Sequence, residues 1–511
     1  MTIEQKANVT RIEFSEEQTK YFISVGTSDH SNALCLEYLN PGTFANVVGW
    51  GIMYWNGVYW QKDDNEAYLY DKAVEMMTVK HLAMFHAPVD AFKGDEPKKT
   101  KKAFEESAST NRSKINNCIS SFKQFLSVQR SVKWFNNQHH LLNVQNGVVD
   151  LRNGELLEHD SNYGFTWVAP VDYDPSKCSK DWDNFLSEVL QDYDQTKGFL
   201  QQVVGYAITG NTNMEKLVYI YGPSRSGKST FLMLLQSLLG DSAAKGTSFT
   251  SFTRSRQQDQ GFDLANLVDA RLVVASEGES GVKMNESVIK SLSGRDMIQC
   301  AKKGQQAVEV YPVWKIFLAS NFKPKAQVSD ESFWGRLILI NFPNSKLGAE
   351  DVNLKENLST PDNLSGILNW AIQGSISYYQ NNKQLFPTPK CFVDALNEAR
   401  EEIDFVAQWM ADCCIVDKEN SDLKIAVTDA NASFRNWCLD NALDAWKNNT
   451  VASILNDKKF SKTTIRVKRI YLNSEDKATG RFERLSGMLE PTPTKGYKGF
   501  TLKEALEPWE S

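Results

Sequence analysis

At 511 residues, 41% hydrophobic and 23% charged, the chain is too long for one core and suggests about three domains. No apolar run approaches the ~20 residues that cross a bilayer, and the start, Met1-Thr-Ile-Glu-Gln-Lys6, lacks a signal-peptide core, so a cytoplasmic protein without membrane contact is expected. The formal charge of −6 argues against a protein coated in nucleic acid. Yet Lys458 to Lys503 holds twelve Lys and Arg against four Asp and Glu, or +8, which leaves −14 for the rest. Eight scattered cysteines, with Cys413-Cys414 the only close pair, suggest buried free thiols rather than a zinc site or a disulfide framework.

Residues up to about Ser109 mix helical segments with aromatic strands, and Trp55-Asn56-Gly57-Val58-Tyr59-Trp60 predicts a hairpin with a tight Asn-Gly turn. The charged run Lys93 to Lys102 reads as a solvated loop, with a basic contact to nucleic acid as the alternative. Asn146-Gly147 and Asn153-Gly154 punctuate apolar runs and predict a second hairpin from Leu141 to Glu158. Pro175 and its Asp/Ser neighbours read as a linker into a helix containing Phe199-Leu-Gln-Gln-Val-Val-Gly205-Tyr206.

An apolar run ending Val218-Tyr-Ile-Tyr221 then meets Gly222-Pro223-Ser224-Arg225-Ser226-Gly227-Lys228-Ser229-Thr230 and a Phe-Leu-Met-Leu-Leu helix. Gly-x-x-x-x-Gly-Lys-Ser between strand and helix is a nucleotide-phosphate cradle: backbone amides turn inward around phosphate oxygens, Lys228 reaches the β- and γ-phosphates, and the Ser229 hydroxyl ligates Mg2+. A chance glycine turn is the rival. From Leu217 to about Phe342 strands and helices alternate, which predicts a helix-covered parallel sheet. Arg271-Leu-Val-Val-Ala-Ser-Glu277-Gly-Glu279 is a strand ending in acids suited to hold magnesium and polarise a water, Glu277 being favoured, unless these are surface acids. Val313 to Asn321 is a second such strand; Asn321 is suited to orient the water or sense the γ-phosphate, and is otherwise a turn former. Arg336, in Phe333-Trp-Gly-Arg336, is either an arginine finger for a neighbouring subunit or half of a local salt bridge. Lys290 to Gly304 carries Lys290, Lys302 and Lys303 around strand-like segments, a basic hairpin able to meet phosphates or an ordinary exposed turn. Helical pattern resumes at Gly366 to Tyr379, and the tail reads as helices followed by basic strands, suggesting a winged helix.

With these residues in this order, the chain resembles superfamily 3 helicases, in the phage and plasmid primase-helicase branch that includes the poxvirus primase-helicase. The matching elements are Asn146-Gly147-Val-Val-Asp-Leu, Gly205-Tyr206, the phosphate loop, Arg271 to Glu279, Lys290 to Asp296, Lys302-Lys303, Ala319-Ser-Asn321 and Arg336 to Phe342, with a weaker match at Lys495 to Leu502. The resemblance implies an α/β, AAA+ type P-loop ATPase core at 181–385, a mixed α/β helicase-associated domain at 1–180, and a C-terminal winged-helix-like domain at 386–511. It implies a ring, usually a hexamer, moving 3′ to 5′ on single-stranded DNA with ATP and Mg2+. Ser229 and Glu277 would serve the metal, Asn321 the sensor role, Arg336 the trans-acting role, and Lys302 or Lys303 the DNA-contacting hairpin. Lys462, Arg466 and Lys468 in the basic tail are further DNA-contact candidates. Two departures stand out: a glycine separates Glu277 from Glu279, and Gly335-Arg336 offers one arginine where some members have two. Asp172-Tyr-Asp174 has an acid-pair spacing but falls in the apparent linker, so helicase without primase is expected, with a separate primase or polymerase as partner and the host cytoplasm as the place of work. An origin-binding initiator that melts DNA locally is the alternative, followed by an AAA+ machine acting on protein or a small-molecule kinase.

Overall fold

The computed structural model describes residues 14–253, 267, 270–276, 283–300, 308–326, 330–349, 351–443, 448–467 and 492–503. The N-terminal unit begins with a helix, Glu16–Val25, whose Ser15 hydroxyl accepts from the Gln18 amide while the Gln18 side chain accepts from the Ser15 amide. Five helices, ending with Arg112–Phe122, enclose a core of Phe22, Leu36, Met76, Met77, Ile115 and Phe122. They pack on a four-stranded sheet ordered Trp60–Lys62, Gly51–Trp55, Phe44–Val47, Gln129–Arg130. The Trp55 to Trp60 hairpin is present, with its tight turn at Gly57-Val58: the Asn56 amide donates to Tyr59 O at 3.2 Å, and Asn56 Oδ1 accepts from the Val58 and Tyr59 amides. The charged run at 93–102 is only half a loop: Pro97 at the first helical turn starts the helix Pro97–Ser107, whose exposed lysines hid its buried Phe104.

The predicted second hairpin is a three-stranded meander, Leu141–Val144, Gly147–Asp150 and Glu155–Leu157. Asn146 explains its own place in the sequence. Its side chain donates to the Tyr173 carbonyl and accepts from the Tyr173 amide, both at 2.9 Å, while the Tyr173 hydroxyl donates to Gly154 O at 3.1 Å. The supposed linker around Asp172 and Asp174 is therefore strapped to the meander, with Tyr173 buried.

The central sheet is fully parallel, ordered Leu337–Asn341, Leu217–Tyr221, Lys315–Ser320, Leu272–Ser276, Ala244–Gly246. Its strands are apolar runs because helices cover both faces. Two of these helices, Tyr193–Ile208 and Pro361–Gln380, cross almost backbone to backbone. A Cβ on Gly205 would stand 2.0 Å from the Ser375 nitrogen, and one on Gly374 would stand 1.9 Å from Gln201 O.

At the sheet's N-terminal edge lie two buried cations. Arg271 donates to the carbonyls of Ile208 (3.0 Å), Gln138 and Leu141 (both 3.1 Å) and stacks on Trp167. Lys315 donates to the carbonyls of Thr209, Val313 and Asn211, over the Tyr206 ring. Burial, and then the Arg271 and Lys315 charges, push the neighbouring His139 imidazole down to about 4.

The apolar cores change near residues 135–141 and 403–406. The meander and helix Lys390–Glu401 thus pack with the central unit, whereas the sequence pattern suggests divisions at 180 and 385. Beyond, helices Phe405–Cys413, Val427–Asp440 and Asn448–Asp457 enclose Trp409, Phe434 and Leu455 beside an antiparallel sheet in which Thr492–Lys498 lies between Lys424–Ala426 and Thr463–Val467. Thiols at Cys35, Cys118, Cys414 and Cys438 are buried, but Cys178 is exposed. No described helix is long and apolar enough to cross a membrane.

Two stability measurements follow. Gly205→Ala should cost about 1–3 kcal/mol because only backbone faces the new methyl, whereas Gly198→Ala, with open space on the same helix, should be neutral or stabilise by up to ~1 kcal/mol in a urea melt. The unfolded chain protonates His139 near pH 6.5 and the folded chain only near 4, so folding stability should fall as the pH drops through that window, by on the order of 2 kcal/mol; in His139→Gln that increment should be missing.

Candidate functional site

The phosphate loop leaves the buried strand Leu217–Tyr221 and enters helix Lys228–Ala243 through a backbone that side chains would obstruct. Gly222 (φ 153°) is so close to the last strand that a Cβ would stand 2.1 Å from Phe342 O, and one on Gly227 (φ 90°) would stand 2.7 Å from Val189 Cγ1. The loop is also held from outside: the Lys346 amide donates to Arg225 O at 3.0 Å, and Ser345 Oγ donates to Ser224 O at 2.8 Å. Lys228 is folded into the loop, its ammonium donating to Gly222 O (2.8 Å), Pro223 O (2.7 Å) and Ser226 Oγ (3.2 Å), and burial holds its pKa below the usual lysine range. Ser229 turns outward at the helix N-terminus while Thr230 is buried.

A cleft of about 850 Å³ opens over the loop. Registers Ser276↔Ala319 and Ser320↔Tyr221 align three strand ends at its floor, so Ser276, Ser320 and Asn321 line it with Ser224 to Thr230. It is also lined by Phe185 and Val189 of helix Lys180–Val189 and by Leu354, Asn357 and Leu358 of the adjoining helix Leu354–Leu358. Sequence reasoning missed both helices, since neither carries a motif.

The structure does not bring every candidate to this cleft. Arg336 is at the opposite end of the sheet, where its NH2 pairs with Glu215 Oε2 at 2.7 Å and its NH1 donates to Ser293 Oγ at 3.2 Å. Lys290 pairs with Asp330 at 2.7 Å. Strands Ile298–Cys300 and Val308–Val310 pair antiparallel, as the hairpin reading expects, but Lys302 and Lys303 between them lie outside the described residues. Glu277, Glu279 and Lys468 also lie outside them, and Ser276 is the last described residue of the acid-bearing strand. Lys462 and Arg466 are exposed, Arg466 on the strand Thr463–Val467.

A parallel sheet with a phosphate loop at the carboxyl end of an inner strand defines a P-loop α/β protein. Residues 33–191 match the family model described as "D5 N terminal like", and residues 220–336 match a family of unknown function (DUF5906). Among curated proteins the chain is 23% identical over 282 residues to "Putative helicase 022R" of Frog virus 3, covering 50% of this chain and 28% of that protein. It is 22% identical over 331 residues to "Putative helicase L207/L206" of Acanthamoeba polyphaga mimivirus, covering 59% and 33%, and 24% identical over 245 residues to "Putative helicase V13" of Sputnik virophage, covering 45% and 29%. The matched stretches span a third or less of these relatives' lengths. A solved structure titled as the apo C terminal region of NrS-1 aligns with a TM-score of 0.42 at 12% identity, covering 66% of this chain and 80% of that one. The D5-type match at 33–191, the phosphate-loop unit behind it and the viral relatives named as putative helicases make the chain similar to the D5-like primase-helicases.

Gly227→Ala should abolish nucleotide binding, measured with a fluorescent ATP analogue, because the methyl meets Val189 and Phe185 and the left-handed backbone resists it.

Proposed function

We propose that this chain is an ATP-hydrolysing DNA helicase of superfamily 3 type, with an AAA+ core that assembles into a ring, a hexamer by family resemblance, and serves replication of a virus or mobile element. The observation that carries the reading is the convergence of the phosphate loop, Ser276, Ser320 and Asn321 on one cleft at the carboxyl edge of a parallel sheet. The residues present fit a nucleotide with Mg2+: glycines let the loop backbone pack where a Cβ would collide with Phe342 or Val189, a helix N-terminus faces the cleft, and a hydroxyl is exposed at Ser229. Ser229 and Glu277 would hold the magnesium, which supplies charge neutralisation on the phosphates when bound. Lys228 exchanges its loop carbonyls for the β- and γ-phosphate oxygens. Water attacks the γ-phosphorus, the bond to the bridging oxygen breaks with its electron pair leaving on ADP, and the water's proton passes to Glu277 or Glu279; Asn321 orients the attacking water.

The viral relatives named as putative helicases support DNA as the partner; single-stranded DNA and fork or origin DNA are proposed from the family resemblance. The tail supports a winged-helix reading, with three helices, a three-stranded antiparallel sheet and exposed Lys462 and Arg466. A duplex-binding tail also suits the initiator alternative, which predicts strong preference for one duplex sequence; a phosphate-only surface gives salt dependence without preference. A separate primase or polymerase remains part of the proposal.

The test is ATP turnover with and without single-stranded DNA. Wild type should be strongly stimulated, Lys228→Ala should be inactive in both conditions, and Lys302→Ala/Lys303→Ala should keep basal turnover and lose the stimulation. Unstimulated wild-type turnover would remove the helicase reading.

A further inference from the structure

Asn321 lines the cleft, yet its side-chain amide makes no hydrogen bond among the described residues, so the direction of that amide is set by the backbone turn that carries it. The turn, 321–323, follows strand Lys315–Ser320 and is held from two sides. Tyr219 and Tyr221, two residues apart on the phosphate-loop strand, present their rings on one face of the sheet. The Tyr219 hydroxyl donates to Phe322 O at 3.1 Å, and the Lys323 ammonium lies over the Tyr221 ring, 6.0 Å from its centre.

Lys323 also reaches away from the sheet. Its ammonium donates to Glu402 Oε1 at 2.6 Å and to Glu398 Oε2 at 3.3 Å. Two carboxylates one turn apart at the C-terminal end of a helix, here Lys390–Glu401, repel each other and the partial negative charge of the last carbonyls. A cation from outside the helix relieves both, and Lys323 supplies it. Arg400 of the same helix is engaged elsewhere, donating to both carboxylate oxygens of Glu331. Glu398 and Glu402 are 63% and 59% exposed, so the two ion pairs add little stability; what they add is direction.

A clamp positions its load only if its own frame is rigid. Ala395, Ala399 and Ile403 lie buried in the same core as Tyr219 and Tyr221. Just beyond the helix, Asp404 accepts from the Ala407 amide at 2.9 Å and pairs with Lys458 at 2.7 Å. The frame is thus fixed to the sheet, to helix Glu331–Trp334 and to the tail.

Resting on the ATPase reading above, we propose that Lys323 is a positioning residue for hydrolysis: by bolting the 321–323 turn to Glu398 and Glu402, it aims the Asn321 amide at the attacking water. Misplacing a reacting group by about an ångström costs on the order of a hundredfold in rate. Nucleotide binding is spared, because the phosphate loop grips its ligand through other residues.

In the full chain, Lys323→Met, which keeps the stem and drops the charge, should lower kcat for ATP about ten- to a hundredfold, with KM and the affinity for a fluorescent ATP analogue within about twofold of wild type. Glu398→Gln/Glu402→Gln should do the same from the other side of the clamp. Lys323→Arg, whose fork can meet both carboxylates, should rescue turnover. The deciding measurement is a double-mutant cycle: because Lys323 acts through Asn321, adding Lys323→Met to Asn321→Ala should slow turnover no further. Losses that multiply would overturn the proposal, as would a wild-type kcat in Lys323→Met or in Asn321→Ala. Analogue binding that falls along with kcat would make the clamp a support for the whole cleft, and would overturn it too. If Lys323→Met melts early, the glutamine pair, which leaves the turn's own residues in place, carries the same cycle. Wild type that hydrolyses no ATP removes the ATPase reading and the proposal together, whereas active wild type with an additive cycle removes the proposal alone.

Discussion

Two positive charges with carbonyl oxygens as their hydrogen-bond partners organise the centre of this molecule. Arg271 and Lys315 are 1% and 3% exposed, and removing such ions from water costs several kcal/mol each unless their protons find partners. The partners are the carbonyls at the end of helix Tyr193–Ile208 and in the segment 138–141, together with the faces of Trp167 and Tyr206. Helix C-termini carry about half a negative charge, so the placement satisfies both sides. Because the cations lead into adjacent strands, they tie the sheet to that helix and to the start of the meander, and through the meander to the strap at Tyr173.

The two edges of the sheet divide the work. At the N-terminal edge the cations are buried and satisfied by main chain, and helix Tyr193–Ile208 is locked further by its crossing at Gly205 and Gly374. At the carboxyl edge the groups that matter, the loop amides, Ser229 and Asn321, face a cleft, and the loop is held by Phe342, Ser345 and Lys346 and by its packing on Val189 and Phe185. Rigidity at one end allows precise exposure at the other.

The phosphate loop was legible in the sequence because its residues answer to local backbone geometry: a glycine at each close approach and a lysine at a fixed offset. Arg271 looked like the first residue of an apolar strand, because its partners lie 63 to 133 positions away and are carbonyls, which leave no mark in a sequence. Gly205-Tyr206 was visible only as a family resemblance; the structure gives it a cause, a backbone crossing on one side and a ring beneath Lys315 on the other. The lysine-rich run at 93–102 misled because an amphipathic helix with a single buried Phe104 looks like a solvated loop when its charged face dominates. For Arg336 both readings were open, and a local ion pair is present in the isolated chain.

The short strand Leu337–Asn341 has a mechanical meaning beyond its place in the sheet. It is bonded along its length to the phosphate-loop strand, with one end at Arg336 and the other at Phe342, on which Gly222 rests. A paired strand in a packed sheet neither stretches nor bends appreciably, so it behaves as a push-rod. A shift of a few tenths of an ångström at the loop must reappear at the far end as a shift of the arginine, and the length of this strand sets the gauge between the two.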